Sequence, residues 1–275
     1  MKKKNVIAVD LGGTNVRVGL VKNNKILRLI RKPTPKDKNN FLAMLTDTIN
    51  DIKDNDVKGI GIACPGPLRN GVIINPPNIP LKNFDLRNFV QKRFNLKTEI
   101  DNDAKCVALA ELYLGYGKGK KNFFVLTLGT GIGGGVVIGG EVYNSKDIGT
   151  ELGNIYIDKE KTLEHLVGGK AIKLICKEKF RREMNLSELM KEKDKKARAI
   201  IELIGENLAR GIGSLINVFN PEIVVLAGGM REAGEEFLDI VRDKALRYII
   251  LPAKYDIVWS KLEEPGLLGA GLLIN

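Results

Sequence analysis

The stretch Val6-Ile-Ala-Val-Asp-Leu-Gly-Gly-Thr-Asn-Val-Arg-Val-Gly-Leu-Val21 places two apolar runs on either side of one acidic residue and a Gly-Gly-Thr corner. Val and Ile favour strands, so the two runs predict a β-hairpin. Gly12 and Gly13 can take positive φ at the corner and, without a Cβ, leave their N–H groups open to an anion. Asp10 offers a carboxylate to hydrated Mg2+, which prefers oxygen ligands. An ordinary hairpin in which Asp10 forms the turn fits this stretch equally well.

A similar pattern recurs in the second half of the chain. Phe123–Leu128 predicts a strand, Gly129-Thr-Gly-Ile-Gly-Gly-Gly135 a second glycine corner, and Val136–Ile138 a returning strand. Two such hairpins predict two similar α/β domains. The second corner also matches the dinucleotide-binding fingerprint at three glycines, but that fingerprint must open a helix. Because the chain continues as β, we reject a dinucleotide-binding fold.

A strand and a proline-rich loop occupy residues 59–80. Gly59–Ala63 predicts a strand that runs into Cys64-Pro-Gly-Pro67. This stiff turn is expected at the end of a sheet, where open α/β folds bind ligands. Asn78 follows in a loop that is too rich in proline for regular structure. Either Asn78 binds a ligand or it caps a turn in a rigid surface loop, and the sequence does not separate the two.

A polar junction connects a short predicted strand, Thr98–Ile100, to a predicted helix, Ala104–Tyr113. Side-chain oxygens at such junctions often serve only as helix N-caps, which accounts for one of Asp101, Asn102 and Asp103. A carboxylate fixed beside an amide also suits a kinase. Such an enzyme must orient a sugar hydroxyl and accept its proton late in phosphoryl transfer.

The remaining periodicities predict further helices and strands. A helix capped by Asn39 or Asn40 is expected to run to Ile52 and to bury Phe41, Leu45, Thr48, Ile49 and Ile52. The other predicted helices span residues 86–94, 171–180, 197–219, 235–247 and 267–274. The other predicted strands span residues 25–31, 223–227 and 256–259. The strand at 223–227 is expected to deliver Gly228 and Gly229 to a helix N-terminus that binds phosphates or approaches an adenine.

Several of these motifs together resemble a known family. Asp10-Leu-Gly-Gly-Thr14 with Arg17, Asn102-Asp-Ala104, the second glycine corner and Gly228-Gly229 follow the order seen in ROK-family sugar kinases. Those kinases have the two-domain α/β actin/hexokinase (ribonuclease H-like) fold with an interdomain cleft. The resemblance covers nearly the whole chain. It implies a small domain, residues 1–115 with the C-terminal helix 266–275, and a larger domain, residues 116–265, in a homo-oligomer expected to be a dimer.

The resemblance also implies an activity, namely transfer of the ATP γ-phosphate to a hexose, with glucose first and the 6-hydroxyl as acceptor. Asp103 is the expected general base. The expected sugar ligands are Asn78, Asn102, Glu151, Asn154 and Glu164. The expected contacts to Mg-ATP are Asp10, Gly12, Gly13, Thr14, Asn15, Arg17, Gly129, Thr130, Gly131, Gly228 and Gly229, with Asp10 holding Mg2+ through water. Kinases for N-acetylmannosamine, N-acetylglucosamine or fructose are alternatives.

The chain departs from the family pattern after the second hairpin. The family carries Gly-x-Glu-x-Gly-His, then a cysteine-rich zinc loop, then Cys-Leu-Glu. This chain keeps Glu151 and Glu164, but it has Asn154 in place of the His and no cysteine between Ile155 and Thr162. We therefore expect no zinc site. His165, the only histidine, is expected to cap or pack, since one imidazole cannot build a zinc site.

The net charge raises the question of nucleic-acid binding. The formal charge is +11 over 275 residues, and lysines cluster at residues 2–4, 118–121 and 191–196. These lysines are interleaved with acids or confined to short loops, and no helix-turn-helix precedes the first strand. A solvated lysine-rich surface is therefore favoured over a nucleic-acid interface.

Composition also bears on location and redox state. No apolar run of about 18 residues is present, so no membrane helix is expected. The apolar run after the N-terminal lysines is interrupted by Asp10, which favours a cytoplasmic protein over a secreted one. Cys64, Cys106 and Cys176 are far apart and lack C-x-x-C pairing. We expect them to be core residues rather than zinc ligands or disulfides.

Two non-kinase classes remain to be weighed. The family includes sugar-sensing repressors, which carry an N-terminal DNA-binding domain, whereas the first hairpin here begins within six residues of Met1. An actin-like filament or ATPase module would give no reason for Asn102, Asp103, Glu151 and Glu164 to occur together. The sequence thus favours the kinase.

Overall fold

The computed structural model describes residues 5–76, 78–144 and 150–274, so the lysines at residues 2–4 lie outside it. Contacts group the chain into two compact units. The first unit contains the described residues of 1–115, 142–149 and 262–275, and the second contains those of 116–141 and 150–261. Within these ranges, no helix has both the length and the apolar composition needed to cross a bilayer.

The first unit is built on a five-stranded sheet. Its strands and those of a smaller sheet are β1 (Asn5–Leu11), β2 (Asn15–Lys22), β3 (Lys25–Pro33), β4 (Val57–Cys64), β5 (Leu68–Arg69), β6 (Val72–Ile73), β7 (Phe84–Asp85) and β8 (Lys97–Asn102). The main sheet has the order β3-β2-β1-β4-β8, and β5-β6-β7 form the small one. The first three strands are antiparallel, whereas β4 runs parallel to both β1 and β8.

The second unit repeats this topology. Its strands are β9 (Phe123–Leu128), β10 (Ile132–Ile138), β11 (Glu141–Val142), β12 (Ile223–Ala227) and β13 (Ile257–Trp259). They are ordered β11-β10-β9-β12-β13, with an antiparallel β9–β10 hairpin followed by the parallel strands β12 and β13. The repeated glycine hairpin of the sequence therefore corresponds to a repeated sheet, and the predicted α/β class is confirmed.

Helices cover these sheets. They are α1 (Lys38–Ile52), α2 (Leu86–Phe94), α3 (Asp103–Leu114), α4 (Leu163–Val167), α5 (Gly169–Phe180), α6 (Leu186–Met190), α7 (Lys195–Phe219), α8 (Gly234–Ala245) and α9 (Pro265–Leu272). The longer helices lie close to their predicted positions, and the five-residue α6 was not predicted. The five residues expected on the inner face of α1 are all buried.

The N-cap of α1 differs from the prediction. Asp37 is the cap, and its carboxylate accepts the N–H groups of Asn39 and Asn40 at 2.9 and 3.0 Å. The predicted caps Asn39 and Asn40 therefore lie inside the first turn. A carboxylate one turn earlier satisfies two orphan donors at once and also interacts favourably with the helix dipole.

The second hairpin also differs from its expected bounds. β10 begins at Ile132, so Gly133–Gly135 lie within the strand rather than in the corner. A Cβ on Gly134 would collide with the side chain of Leu152. Glycine is thus required there because another segment packs directly on the strand. The small β5-β6-β7 sheet was also missed, since its two-residue strands carry no periodicity.

Each unit has its own hydrophobic core. In the first unit, one cluster joins the main sheet to α1 and α2, and a second joins the same sheet to α3 and α9. In the second unit the core surrounds the amphipathic α7. Cys64, Cys106 and Cys176 are buried and free, which confirms their predicted role as core residues.

Glycines permit a close approach of α9 to its neighbours. A Cβ on Gly269 would overlap the backbone of Cys106 in α3, and a Cβ on Gly61 in β4 would overlap the backbone of Ala270. Neither glycine has positive φ, so the requirement is for space. The position of α9 is therefore fixed against both α3 and the sheet.

Gly269→Ala is expected to destabilise the protein by about 2–3 kcal/mol, the usual scale for overpacking against an element that cannot give way. The matched control is Gly271→Ala on the same helix, whose Cβ would lie 3.6 Å from Val21 Cγ1, an ordinary contact. This control is expected to be neutral or stabilising by up to about 1 kcal/mol, because Ala has the higher helix propensity. Urea unfolding measures both changes. Equal stabilities would contradict the close approach.

Candidate functional site

The corner of the first hairpin is compact. Gly12 donates its N–H to the Asn15 carbonyl at 3.0 Å, and the Thr34 hydroxyl donates to the Gly12 carbonyl at 2.6 Å. Neither Gly12 nor Gly13 has positive φ, so the corner does not use that freedom. The N–H of Gly12 is bonded within the corner rather than open to an anion, as had been inferred from the sequence. Space explains these glycines instead. A Cβ on Gly12 would lie 2.7 Å from the Asn15 carbonyl oxygen, and one on Gly13 would lie 2.8 Å from Asn78 Cβ.

Asn78 is thus brought to the hairpin corner. Its backbone is left-handed, with φ 60°, a conformation that Asn adopts more readily than most residues. Gly13, Thr14, Asn15 and Asn78 are all exposed. The first unit therefore presents a hydroxyl, two amides and an open glycine backbone side by side.

Asp10 lies directly opposite Arg17 in the β1–β2 ladder. Arg17 Nη1 donates to Asp10 Oδ2 at 2.9 Å, and no described residue donates to Oδ1. Burial raises the pKa of Asp10, the Arg17 guanidinium opposes that rise, and the Glu264 carboxylate adds to it. Arg17, predicted to contact ATP, is in this structure the partner of Asp10.

The Asp10 site fits a magnesium ion that keeps most of its water. One carboxylate oxygen is held by Arg17, and the other receives no hydrogen bond from the described residues and is left for a ligand. Among the described residues, no three His, Cys, Asp or Glu side chains are grouped to hold a metal. This donor set suits Mg2+, which binds through one or two carboxylates, water and substrate phosphates rather than in a protein cage. The expected lack of a zinc site stays a prediction.

Two predicted site acids lie at one edge of the first sheet. Asp10, Ala63 and Asp101 are lateral neighbours near the carboxyl ends of β1, β4 and β8. The pKa of the Cys64 thiol at this edge is raised well above its usual value, first by burial and then by the carboxylates of Asp103 and Asp10. The acid expected to hold the metal and the acid expected to act as base are therefore both close to Cys64.

The junction between β8 and α3 is held by its own polar side chains. Asn102 is the N-cap of α3, and its Oδ1 accepts the N–H groups of Ala104 and Lys105 at 3.0 and 3.2 Å. Its Nδ2 reaches the Gly66 carbonyl at 3.5 Å. Asp103 is the first residue of the helix, and its Oδ1 accepts the Ala104 N–H at 2.8 Å. Both side chains are thus fixed and only partly buried.

A buried lysine supports this junction and was missed in the sequence. Lys105 Nζ donates to Asp101 Oδ1 at 2.6 Å and to Asn144 Oδ1 at 2.8 Å. The spacing of four residues between Asp101 and Lys105 is a helical pairing distance and was the available signal. Asn144 is 39 residues from Lys105, so that contact could not be foreseen.

In the second unit the glycine corner is tied to the start of α5. Gly169 donates its N–H to the Gly129 carbonyl at 2.9 Å, and Lys170 donates to the Thr130 carbonyl at 3.0 Å. Gly129 also donates to the Gly131 carbonyl at 3.0 Å. Gly129 and Thr130 are exposed. The corner is thus a fixed turn with an accessible backbone.

Glu164 packs against this same corner. Its Oε2 accepts the N–H of Ile132, the first residue of β10, at 2.6 Å. A Cβ on Gly131 would overlap the same carboxylate. No described residue donates to Oε1. The predicted sugar ligand therefore has one oxygen that fixes the corner and one that is left for a ligand.

Glu151 and Asn154 form a second polar pair in this unit. Glu151 immediately precedes a 3₁₀ turn, Leu152–Asn154, of which Asn154 is the last residue, and both side chains are exposed. Asn154 donates from its backbone N–H to the Glu151 carbonyl at 3.0 Å and from Nδ2 to Glu151 Oε2 at 3.2 Å. Asn154 therefore orients the carboxylate of Glu151. His165 forms a capping box with Thr162 at the start of α4, which confirms its predicted capping role.

Gly228 and Gly229 follow β12. Gly228 has φ 97°, and a Cβ there would lie 2.5 Å from the Leu128 carbonyl oxygen. Since β9 and β12 are parallel neighbours, this places the paired glycines beside the Gly129 corner. No described atom would lie within 4 Å of a Cβ on Gly229. A 3₁₀ turn, Gly229–Ala233, comes before α8, so the helix expected directly behind the glycines begins later.

The two repeated sheets, with glycine corners and polar side chains at their strand ends, define an α/β protein of the actin/hexokinase type. The ROK family model matches residues 6–275, so the chain belongs to the ROK family. The predicted fold class and family are thereby confirmed.

Individual relatives agree with this assignment. A glucokinase from Thermotoga maritima is 32% identical over 100% of this chain and 98% of its own. The structure of a ROK hexokinase from Thermus thermophilus is 31% identical, with a TM-score of 0.82 over 98% of this chain and 97% of its own. A ROK family glucokinase from Streptomyces griseus, solved with glucose and AMPPNP, has a TM-score of 0.88 over 98% of each chain. At 23% identity that last likeness concerns the fold alone.

Glu164→Ala is expected to destabilise the protein by about 1–3 kcal/mol, because it leaves the N–H of buried Ile132 without an acceptor. Glu164→Gln keeps an acceptor and is expected to cost less than about 1 kcal/mol. The control is Glu160→Ala, which removes an exposed acid of the same unit. Urea unfolding measures the three variants. If Glu164→Ala and Glu160→Ala are equally stable, Glu164 does not anchor the corner.

Proposed function

We propose that this ROK protein is an ATP-dependent hexose kinase, with glucose as first acceptor and the 6-hydroxyl as the site of transfer. The observation that carries the proposal is the pair Asn102 and Asp103, fixed at the start of α3 on the sheet edge that also holds Asp10. Family membership and the relatives named glucokinase and hexokinase support it. The family resemblance also supports a cytoplasmic location and a homodimer.

Asp103 is assigned as the general base. The Ala104 N–H fixes the orientation of its carboxylate, and the N-terminus of α3 stabilises its negative charge. In phosphoryl transfer such a carboxylate positions the attacking hydroxyl and accepts its proton late, and no covalent enzyme intermediate is needed. Asn102 already uses its oxygen on the helix, and one N–H of its amide reaches the Gly66 carbonyl, so the second amide N–H is assigned to donate to a sugar hydroxyl.

The nucleotide phosphates are assigned to the two glycine corners and to the paired glycines Gly228 and Gly229. Backbone N–H groups at such corners bind anions without the cost of ordering a side chain. Gly12 and Gly129 use their N–H groups within the corners, so the phosphate contacts are assigned to the exposed backbone of Gly13 and Thr130. Asp10, with Oδ1 left for a ligand, would hold Mg2+ through water. When bound, that ion neutralises charge on the phosphates during transfer. The remaining sugar contacts are assigned to Asn78, Glu151, Asn154 and Glu164.

The decisive experiment measures ADP release from ATP with glucose, mannose, glucosamine, fructose, N-acetylmannosamine or N-acetylglucosamine, and with no sugar. A hexose kinase is expected to release ADP at least about 100-fold faster with its sugar than without it, because the acceptor completes the site. The sugar that gives the highest rate distinguishes the alternative kinases. Release of ADP that is independent of every sugar would contradict the proposal.

Asp103→Asn is expected to lower kcat by roughly 100-fold or more while sugar affinity stays within about 10-fold, since general-base loss acts on the transition state. The control is Glu99→Gln, which removes a carboxylate from the neighbouring strand β8, where it makes only a surface ion pair with Lys97. That control is expected to keep kcat within about 10-fold. Near-normal turnover in Asp103→Asn would remove Asp103 from the role of base.

We infer a relaxed specificity at the sugar 2-position from Asn154, which stands where the resembled kinases have a histidine that contacts the sugar around its 2-hydroxyl. A neutral amide is shorter than imidazole and cannot become charged, so the sugar contact is expected to be looser or water-bridged. Losing one well-aligned hydrogen bond is worth about 0.5–1.5 kcal/mol, or roughly 2-fold to 12-fold in discrimination. We expect kcat/KM values for glucose, mannose and glucosamine within about 100-fold of one another, and a narrower range in Asn154→His. A broader range in that variant would contradict this role.

A further inference from the structure

Glu264, the residue immediately before α9, makes contacts that the proposed mechanism does not use. Asp10, Arg17 and Arg31 are lateral neighbours on β1, β2 and β3, so they form a row across the first sheet. Glu264 lies over this row, where Oε2 is 3.4 Å from Arg17 Nε and Oε1 pairs with Arg31 Nη2. A carboxylate from a distant part of the chain therefore joins the two arginines.

Glu264 makes these contacts in place of the hydrogen bond that an N-cap side chain usually makes to its own helix. Glu264 is the N-cap residue of α9, yet its side chain makes no capping hydrogen bond. The side chain is only 14% exposed, as is that of Asp10. In the first turn of α9, a Cβ on Gly266 would lie 3.2 Å from Asp10 Oδ2. The start of α9 thus packs against the Asp10–Arg17 pair and covers it.

Arg17 is consequently shared between two carboxylates. Its Nη1 serves Asp10 Oδ2, and its buried Nε faces Glu264 without a hydrogen-bond geometry. Without Glu264, the guanidinium fork would be free to pair with both oxygens of Asp10, which is the preferred geometry of an Arg–carboxylate pair. Arg17 would then occupy the oxygen that is now left for a ligand.

We propose that Glu264 is a positioning residue that holds Arg17 away from Asp10 Oδ1 and so keeps Asp10 available to hydrated Mg2+. The inference rests on the proposed function for the role of the metal. A second effect has the same sign, since Glu264 adds a negative charge close to the cation. Arg31 is expected to weaken Mg2+ binding, because it pairs with the same Glu264 carboxylate and adds positive charge near the ion.

The test is the affinity for AMPPNP, measured by titration calorimetry with Mg2+ and again with EDTA, and expressed as the ratio of the two. Glu264→Gln is expected to lower this ratio by about 10-fold, the lower end for a residue that orients a metal ligand. Arg31→Gln removes a side chain that is 61% exposed and is expected to raise the ratio by about 2-fold. Glu263→Gln, an exposed neighbouring acid, is the control and is expected to leave the ratio unchanged.

A merely structural role for Glu264 predicts a different result. Glu264→Gln would then lower the melting temperature, or weaken glucose and both forms of the nucleotide together, with an unchanged ratio, and this would overturn the inference. If Glu264→Gln does not fold, Arg31→Gln decides, and an unchanged or lower ratio in that variant also overturns it. If the variants show the predicted changes in the ratio but the wild type phosphorylates no sugar, the proposed kinase is contradicted and the role of Glu264 is still supported.

Discussion

At Gly269 and Gly61, no side chain fits between α9 and the element that it packs against. The backbone of α9 approaches α3 at Gly269 and β4 at Gly61 so closely that a single methyl group would separate them. This constraint fixes two things in the first unit. It fixes the position of α3, whose first turn carries Asp103. It also fixes the position of the start of α9, whose flanking residue Glu264 contacts Arg17. Residues far apart in sequence are therefore held by backbone packing rather than by flexible side chains.

In several polar side chains of the candidate site, one atom is hydrogen-bonded within the fold and another is left for a ligand. Asn102 uses its oxygen to cap α3. Glu164 uses one oxygen to hold Ile132, and Asp10 uses one to hold Arg17. In Glu164 and Asp10 the second oxygen receives no hydrogen bond from the described residues. A side chain held by one atom loses little entropy when another atom meets a ligand, which favours binding.

Much of the fold was predictable because it depends on local pattern. Alternating or continuous Val and Ile runs located β1, β9 and β12, and helical periodicity located α1 and α7. The N-cap of α1 was misplaced because Asp37 competes with two following asparagines for one role. Gly12 and Gly13 do not use positive φ. Glycine is needed there because Asn15 and Asn78 approach closely, which sequence spacing does not reveal.

The candidate site was predictable only where motif and strand end coincide. Asp10 and Asp103 end or follow strands, so topology alone brings them to one sheet edge. Glu264 had no such signal, because its partners lie on β2 and β3, more than 200 residues earlier.

The central claim is transfer of the ATP γ-phosphate to a hexose hydroxyl, and phosphorus NMR of the product formed from glucose tests it directly. The account predicts a new phosphate monoester resonance, coupled to the protons at carbon 6, in an amount equal to the ADP formed. Inorganic phosphate in place of a sugar phosphate would contradict it.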